Sequence, residues 1–488
     1  MSSVSLLPSE VWQEVFAWLH QDAARTCLSV SKEFHDLASR VVFRKLTVYF
    51  GSWESTEASD DVYEAEQEAL DALEDRMSSL SSAILHRISH DPTFATIVQS
   101  LDVRAYKRDG TRGAFERGSL IEAICHLHNL RTFTWHGVVP IPTPDIVEAL
   151  ASSCPMLRHF SAPLLTLSRL PLYKLETLWS IGYTWKWFYD TTRGRRSRLH
   201  EQDRDLTICC ESLRELQMPY TSPWNIPLDR LPMLTHLDLL SIQDLDGFGP
   251  AIRRITQLES LSVFCSRRQH DKLFEALAYL KSDLPNLHSL CLLSRRERAL
   301  ESEHAQILTN ILKGRTRMRR FRSTFRLHEA GHMRFLGAIS SLRNLEALHW
   351  DVFMEDITRD FMHVYLQHLP SGILALSIAT SGLFRDADAF ADLWSRCPGL
   401  RFLYVRTWGS EERLADRILH GAVRLQIVGY NGKFHYVDIK GEQPQLSAPW
   451  SAHKVAFRGM RDFGLGCEDA EWLMRGLRIR REWEEEGQ

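Results

Sequence analysis

The sequence predicts an α/β chain: three short N-terminal helices followed by an irregular solenoid of alternating strands and helices. Three observations predict it. A spaced apolar motif recurs from about residue 98 to 428. The segments between its copies carry helical periodicity and stop at prolines. The first fifty residues hold three amphipathic stretches that make a poor core on their own. The chain thus divides into a helical module (1–50), an acidic linker and helix (51–95), the repeat array (96–430) and a C-terminal cap (431–488).

Composition sets the class. The 488 residues are 44% hydrophobic and 25% charged, which is ordinary for a soluble globular protein. A net charge of −3 gives no global electrostatic case for nucleic acid or an acidic membrane. The nine cysteines are scattered, with Cys209-Cys210 the only close pair, so neither a disulfide framework nor a zinc ribbon is expected. Reduced, buried thiols in the cytoplasm and/or nucleus are the expectation. Glu10, Gln13, Glu14 and His20 interrupt the first twenty residues and no basic segment precedes them, unlike a signal peptide. No apolar run approaches the roughly 18 residues that would suggest a membrane span.

In the module, Pro8 suits the first turn of a helix, where a missing N–H costs nothing. Val11, Val15 and Leu19 then share one face, widened by Trp12 and Phe16. Asp22 is expected to cap a second helix running to about Val30. Ser31 is expected to cap a third that carries Phe34, Leu37, Ala38, Val41 and Val42. The alternation of Leu46, Val48 and Phe50 starts a strand. Leu7-Pro8, Glu10-Val11, Val15-Phe16 and Leu19, then Val30-Ser31-Lys32-Glu33-Phe34 and Ala38, resemble the F-box family in order and spacing. The resemblance covers about 45 residues. It implies docking onto the Skp-family adaptor of a cullin–RING ubiquitin ligase, with Leu7, Pro8, Val11, Val15, Phe16, Leu19, Val30 and Lys32 as adaptor-binding residues. The alternative is that the three helices only cap the N-terminal end of the array.

Ten acidic residues and no basic one lie between Glu54 and Asp75. Ala65, Ala69, Leu73, Met77 and Leu80 nonetheless keep helical spacing. They predict a long, partly exposed helix from about Tyr63 to Ile88 after a loop at 52–62.

The array motif reads apolar–x–x–apolar–x–apolar. Clear copies are Leu234…Leu237…Leu239, Leu258…Leu261…Val263, Leu287…Leu290…Leu292 and Leu345…Leu348…Trp350. Weaker ones run from Val98…Leu101…Val103 and Leu130…Phe133…Trp135 to Leu425…Val428. Starts from 130 to 425 recur at a mean of about 27 residues. Alternation within the motif fits a short strand with one buried face, and stretches such as 271–280 and 387–394 fit helices. Cys154-Pro155, Leu231-Pro232, Leu284-Pro285, Leu369-Pro370 and Cys397-Pro398 punctuate them. The pattern resembles the divergent leucine-rich repeats that follow F-boxes in fungal-type substrate receptors. It departs from them in lacking a maintained Asn or Cys after the strand, so a regular asparagine ladder is not expected.

Catalytic signatures are missing. No phosphate loop, dinucleotide fingerprint, nucleophile elbow or H-E-x-x-H occurs, and His126 and His128 lack a nearby third ligand. The expectation is a binding protein with no cofactor or metal, not an enzyme. Sequence cannot show whether acids such as Glu329 and Asp351 are paired in space.

Two recognition surfaces are candidates. The interval from Leu175 to Leu213 is about ten residues longer than the mean, and insertions in repeat arrays emerge as loops, often on the binding face. It carries Tyr183, Trp185, Trp187, Phe188 and Tyr189, then Arg193, Arg195, Arg196 and Arg198, residue types that dominate interface hot spots. Of these, Trp185, Trp187, Tyr189, Arg195 and Arg196 are taken as target-binding. Residues just after the strands form the second candidate: Trp350, Asp351, Phe353, Arg406 and Trp408 would line a concave rim. A final helix from Glu468 to about Glu485, striped by Trp472, Leu473, Leu477, Ile479 and Trp483, is expected to cap the end of the array. Together these features predict a substrate receptor of a ubiquitin ligase that binds the Skp-family adaptor and an unknown protein target. The alternative is a repeat scaffold with no ligase link.

Overall fold

The protein was analysed as a computed structural model that describes residues 8–19, 21–51, 64–106, 113–139, 142–163, 174–181, 211–219, 231–242, 245–265, 269–294, 300–352, 356–380, 383–384, 390–407, 418–419, 421–440, 443–450 and 467–474. It has two compact units, Met1–Ile181 and Gly182–Gln488.

The first unit begins with α1 (Ser9–Trp18), α2 (Gln21–Cys27) and α3 (Lys32–Val42). Their shared core is aromatic. Trp12 and Phe16 on α1 meet Phe34 on α3 with ring centroids 5.1 and 5.6 Å apart, and Leu37 and Ala38 complete the cluster. Ser31 caps α3 as its residue type demands, its Oγ accepting from the Phe34 N–H at 3.1 Å. The second helix differs from expectation. It starts at Gln21, so Asp22 lies inside it, and it stops at Cys27. Leu28, Ser29 and Val30 instead make tight turns, donating to the carbonyls three residues back.

The unit continues with β1 (Lys45–Phe50), α4 (Glu64–His90), α5 (Pro92–Ile97), β2 (Ser100–Tyr106), α6 (Gly113–Ile124), β3 (Thr132–Val139), α7 (Pro144–Ser153), β4 (His159–Pro163) and β5 (Thr177–Ile181). The long helix falls within two residues of its expected ends. The short α5 was not anticipated, although Asp91 caps it and Pro92 opens it. The five strands pair in parallel in chain order.

The second unit repeats the scheme with β6 (Glu215–Pro219), β7 (His236–Ile242), α8 (Phe248–Ile252), β8 (Ser260–Cys265), α9 (His270–Asp283), β9 (Ser289–Ser294), α10 (Ser302–Leu312), β10 (Arg320–Ser323), α11 (Glu329–Ser340) and β11 (Ala347–Val352). After β11 come β12 (Asp356–Ile357), α12 (Arg359–Gln367), β13 (Ala375–Thr380), β14 (Leu383–Phe384), α13 (Ala391–Arg396), β15 (Phe402–Arg406) and β16 (Ile427–Tyr430). The strands β6 to β11, β13, β15 and β16 pair in parallel, while β12 and β14 form a small separate ladder.

Register explains the motif. The second apolar position of each copy stands opposite its counterpart on the next strand: Leu46, Leu101, Phe133, Phe160 and Leu178 in the first unit. In the second unit the row is Leu216, Leu237, Leu261, Leu290, Phe321, Leu348, Leu376, Leu403 and Val428. All of these residues are buried. Because side chains alternate along a strand, the third apolar position joins them on this motif face, where the helices pack. A slip of one residue would expose the whole row, so register is strongly specified.

No asparagine ladder is needed to hold successive turns. A backbone carbonyl just before each strand accepts two N–H groups from the next repeat. Glu259 thus receives His288 and Ser289, and Glu346 receives Leu374 and Ala375. The repeat is leucine-rich-repeat-like in this physical sense, an apolar strand ladder tied by backbone bonds.

The C-terminal region departs from the sequence reading. Past Tyr430 the chain forms two further antiparallel strands, β17 (Lys433–Lys440) and β18 (Gln443–Leu446), within the segment read from sequence only as a cap. Asn431 and Gly432, at φ 42° and 84°, make the two-residue turn between β16 and β17, the conformation that favours this dipeptide.

Candidate interaction surfaces

In the second unit, the strand positions between motif residues point to the opposite, second face. Across the register these are Gln217, Asp238, Ser262, Cys291, Arg322, His349, Ser377, Tyr404 and Gly429. The neighbouring row runs from Glu215 and His236 through Ser260, Ser289 and Arg320 to Ala347, Ala375, Phe402 and Ile427. The face therefore grades from polar and charged to apolar.

Its apolar part is covered by the chain itself. Residues 468–474 are helical. Cys467, Ala470, Leu473 and Met474 pack with Ala347, Ala375, Phe402, Tyr404, Ile427, Phe434 and Trp450. Trp472 packs against Phe264, Cys291 and Leu293. The described part of the expected terminal cap thus lies across the second face, while Leu477, Ile479 and Trp483 lie outside the described residues. An apolar sheet face needs cover as much as an open end does, and β17 and β18 already extend the end.

Polar bonds fix the described segment at two points. Arg320 donates from Nε to Asp469 Oδ1 at 2.7 Å, and its Nη2 lies 3.5 Å from Glu468 Oε2. Arg322, fully buried, donates from Nη1 to the Leu473 carbonyl at 2.7 Å. The acids in the first turn complement the helix dipole.

Beside this contact, His349 Nδ1 lies 2.6 Å from Ser377 Oγ and its Nε2 3.2 Å from Asp351 Oδ1. The connectivity is that of a nucleophile–base–acid triad. All three side chains are buried, however, so the arrangement links adjacent strands and offers Ser377 no approach for a substrate. Asp351 is paired in space, as sequence alone could not show.

The first unit carries its own polar cluster on the second face. Asp102 meets Arg104 at 3.2 Å and His136 Nε2 at 3.2 Å, and the Arg104 guanidinium sits over Tyr49. Burial pushes the Asp102 carboxyl up. The His136 hydrogen bond and the charges of His136, Arg104 and Lys45 outweigh it and hold the pKa below the usual carboxylate value.

The expected adaptor-binding residues divide. Val11 and Val15 on α1 are exposed, as are Pro8, Val30 and Lys32. Leu19 is half-buried against the module core. Phe16 is 1% exposed and belongs to that core, which corrects its assignment as a docking residue. Trp18, not singled out from sequence, is 87% exposed and continues the strip of Val11 and Val15 at helical spacing. Leu7 lies outside the described residues.

The expected target-binding residues fare differently. Trp185, Trp187, Tyr189, Arg195, Arg196, Phe353 and Trp408 lie outside the described residues. Trp350 is 1% exposed, stacked on His332 of α11 and edge-on to Phe335 and to Tyr365 of α12. It fills the motif face and lines no rim, a correction that its place as third apolar residue of Leu345…Leu348…Trp350 already contained. The residues that sequence reasoning missed are Arg320, Arg322 and the variable positions of the second face, which carry no periodic signal.

Seven cysteines among the described residues are free. Burial pushes Cys154 and Cys265 up to about 12 and Cys397 to about 11, so these thiols stay protonated. Among the described residues no helix is long and apolar enough to cross a membrane.

No family model matches the chain, and no curated protein matches it. Among solved structures, the leucine-rich repeat-containing protein LegL7 from Legionella pneumophila aligns over 67% of this chain and 90% of its own, at 10% identity and a TM-score of 0.31. A protein from Bacteroides fragilis aligns over 66% of this chain and 68% of its own, at 11% identity and a TM-score of 0.23. The strand register itself defines the repeat.

Proposed function

We propose that the chain is a non-catalytic substrate receptor, in which α1–α3 dock on the Skp-family adaptor of a cullin–RING ligase and the repeat array binds a protein target. One observation carries the docking half. α1 buries Phe16 and half-buries Trp12 inward while leaving Val11, Val15 and Trp18 in solvent as a strip at i, i+4 and i+7. An amphipathic helix with a second, uncovered apolar stripe is suited to a partner's groove. This is the segment whose sequence resembles an F-box. The receptor's contribution is positioning, which raises the effective concentration of target near the transferring enzyme.

The test is the affinity of the intact chain for the purified Skp-family adaptor, compared with a Val11→Asp, Val15→Asp, Trp18→Ala variant. Tight binding lost in the variant, with an unchanged melting temperature, supports the reading. A folded intact chain that does not bind the adaptor overturns the ligase half and leaves a repeat scaffold.

A further inference from the structure

We infer that residues 467–474 are a built-in ligand, and that the second face of the second unit from β8 to β16 is a groove for a target helix of the same chemistry: an acidic first turn followed by an aromatic–aliphatic pair. The inference rests on the target-binding half of the proposed function and is independent of the ligase half.

Each feature of the groove answers one feature of the segment. Arg320 holds the two acids at the start, Glu468 and Asp469, and Arg322 holds the Leu473 carbonyl further along. On the same rows the neighbouring strands carry Ser289 and Ala347 beside Arg320, and Cys291 and His349 beside Arg322, so a parallel sheet of this register does not itself require arginine there. Trp472 packs on Phe264, Cys291 and Leu293. Leu473 and Met474 belong to a cluster floored by Ala347 and Ala375, with Phe402 and Tyr404 beside them. Small residues beside aromatic ones make a recess, and the two guanidinium groups fix the direction and register of what lies in it. A tethered occupant competes at high effective concentration, so a free target binds in proportion to the open fraction.

The probe is a fluorescein-labelled synthetic peptide copying residues 464–478. The full chain carrying Asp469→Ala, Trp472→Ala and Leu473→Ala is expected to bind it at least about tenfold more tightly than the unaltered chain. Adding Arg320→Glu is expected to remove that binding. A triple variant that melts cooperatively yet binds the peptide no better than the unaltered chain overturns the inference. Hydrogen exchange on the unaltered chain gives a second measurement. Amides of 471–474 are expected to exchange by a local opening, faster than those of β11 and β13. Exchange of all three only through global unfolding makes the segment plain core and overturns the inference, and it decides the matter if the triple variant loses its cooperative melt. Adaptor affinity measured on the same proteins is expected to be unchanged, so failure of the ligase reading and failure of the groove are told apart.

Discussion

The two faces of the second-unit sheet are made by the same strands and differ in what they must satisfy. On the motif face every strand meets the same neighbours, a strand on either side and helices above, so leucine recurs from Leu216 to Leu403 with little else allowed. Among the described residues, the second face is covered by the segment 467–474, with Trp450 in the same cluster, and this contact is not repeated from strand to strand. The residues of that face therefore change along the sheet: Ser262, Cys291, Arg322, His349, Ser377, Tyr404. A repeated environment leaves a repeated sequence, and an unrepeated contact leaves none.

The largest way to break this contrast is on the motif face. Trp350→Ala is expected to cost about 3–5 kcal/mol in urea unfolding, because the large cavity between α11 and α12 cannot collapse. A cost near that of an exposed substitution would mean that the motif face is not the main core.

A pH titration reaches the same face. Burial, the largest influence, holds His332 at about 4, against a weaker upward pull from its bond to the Leu327 backbone. The unfolded chain, with His near 6.5, takes up this proton first. The stability present above pH 6.5 is therefore lost as pH falls toward 4, by up to about 3 kcal/mol. In His332→Gln the stability–pH curve should be flatter over that window, and an unchanged slope would remove His332 from the account.

On the second face, Gly429→Ala is expected to cost about 1–3 kcal/mol. A Cβ there would stand 2.5 Å from Tyr404 Cδ2 and 2.7 Å from Phe434 Cε1, both inside contact distance. The smallest effect sharpens the comparison most. A double-mutant cycle of Arg320→Ala and Asp469→Ala should give a coupling of about 1 kcal/mol, while the same cycle between Arg320 and Glu346 should give almost none. A zero for the first pair would detach the C-terminal helix from the sheet's energetics.

Legibility in the sequence follows the same division. The strand positions, the α4 boundaries and the Ser31 cap were readable because each is set by local spacing or by a residue type with one stereochemical use. The destination of residues 467–474 was not. Their apolar stripe signals that something covers them, and nothing local says which of two faces does so. Phe16 and Trp350 were misassigned for a related reason. A large aromatic suits an interface or a core equally, and only the partners, Phe34 for one and Phe335 for the other, decide it. The strands β17 and β18 were hidden by Gly, Pro and His, residue types that read as turn although Pro444 sits on the outermost strand, where a missing N–H is tolerated.

The Asn431–Gly432 turn carries a consequence for how such a protein can change size. By folding the chain back antiparallel, it takes up the backbone donors and acceptors that another parallel strand would have used. A duplicated repeat appended there would find no place to pair, whereas one copied between existing strands would meet identical neighbours on both sides. At this end the array can therefore lengthen or shorten only by repeats inserted before β16, and the antiparallel strands move with that boundary.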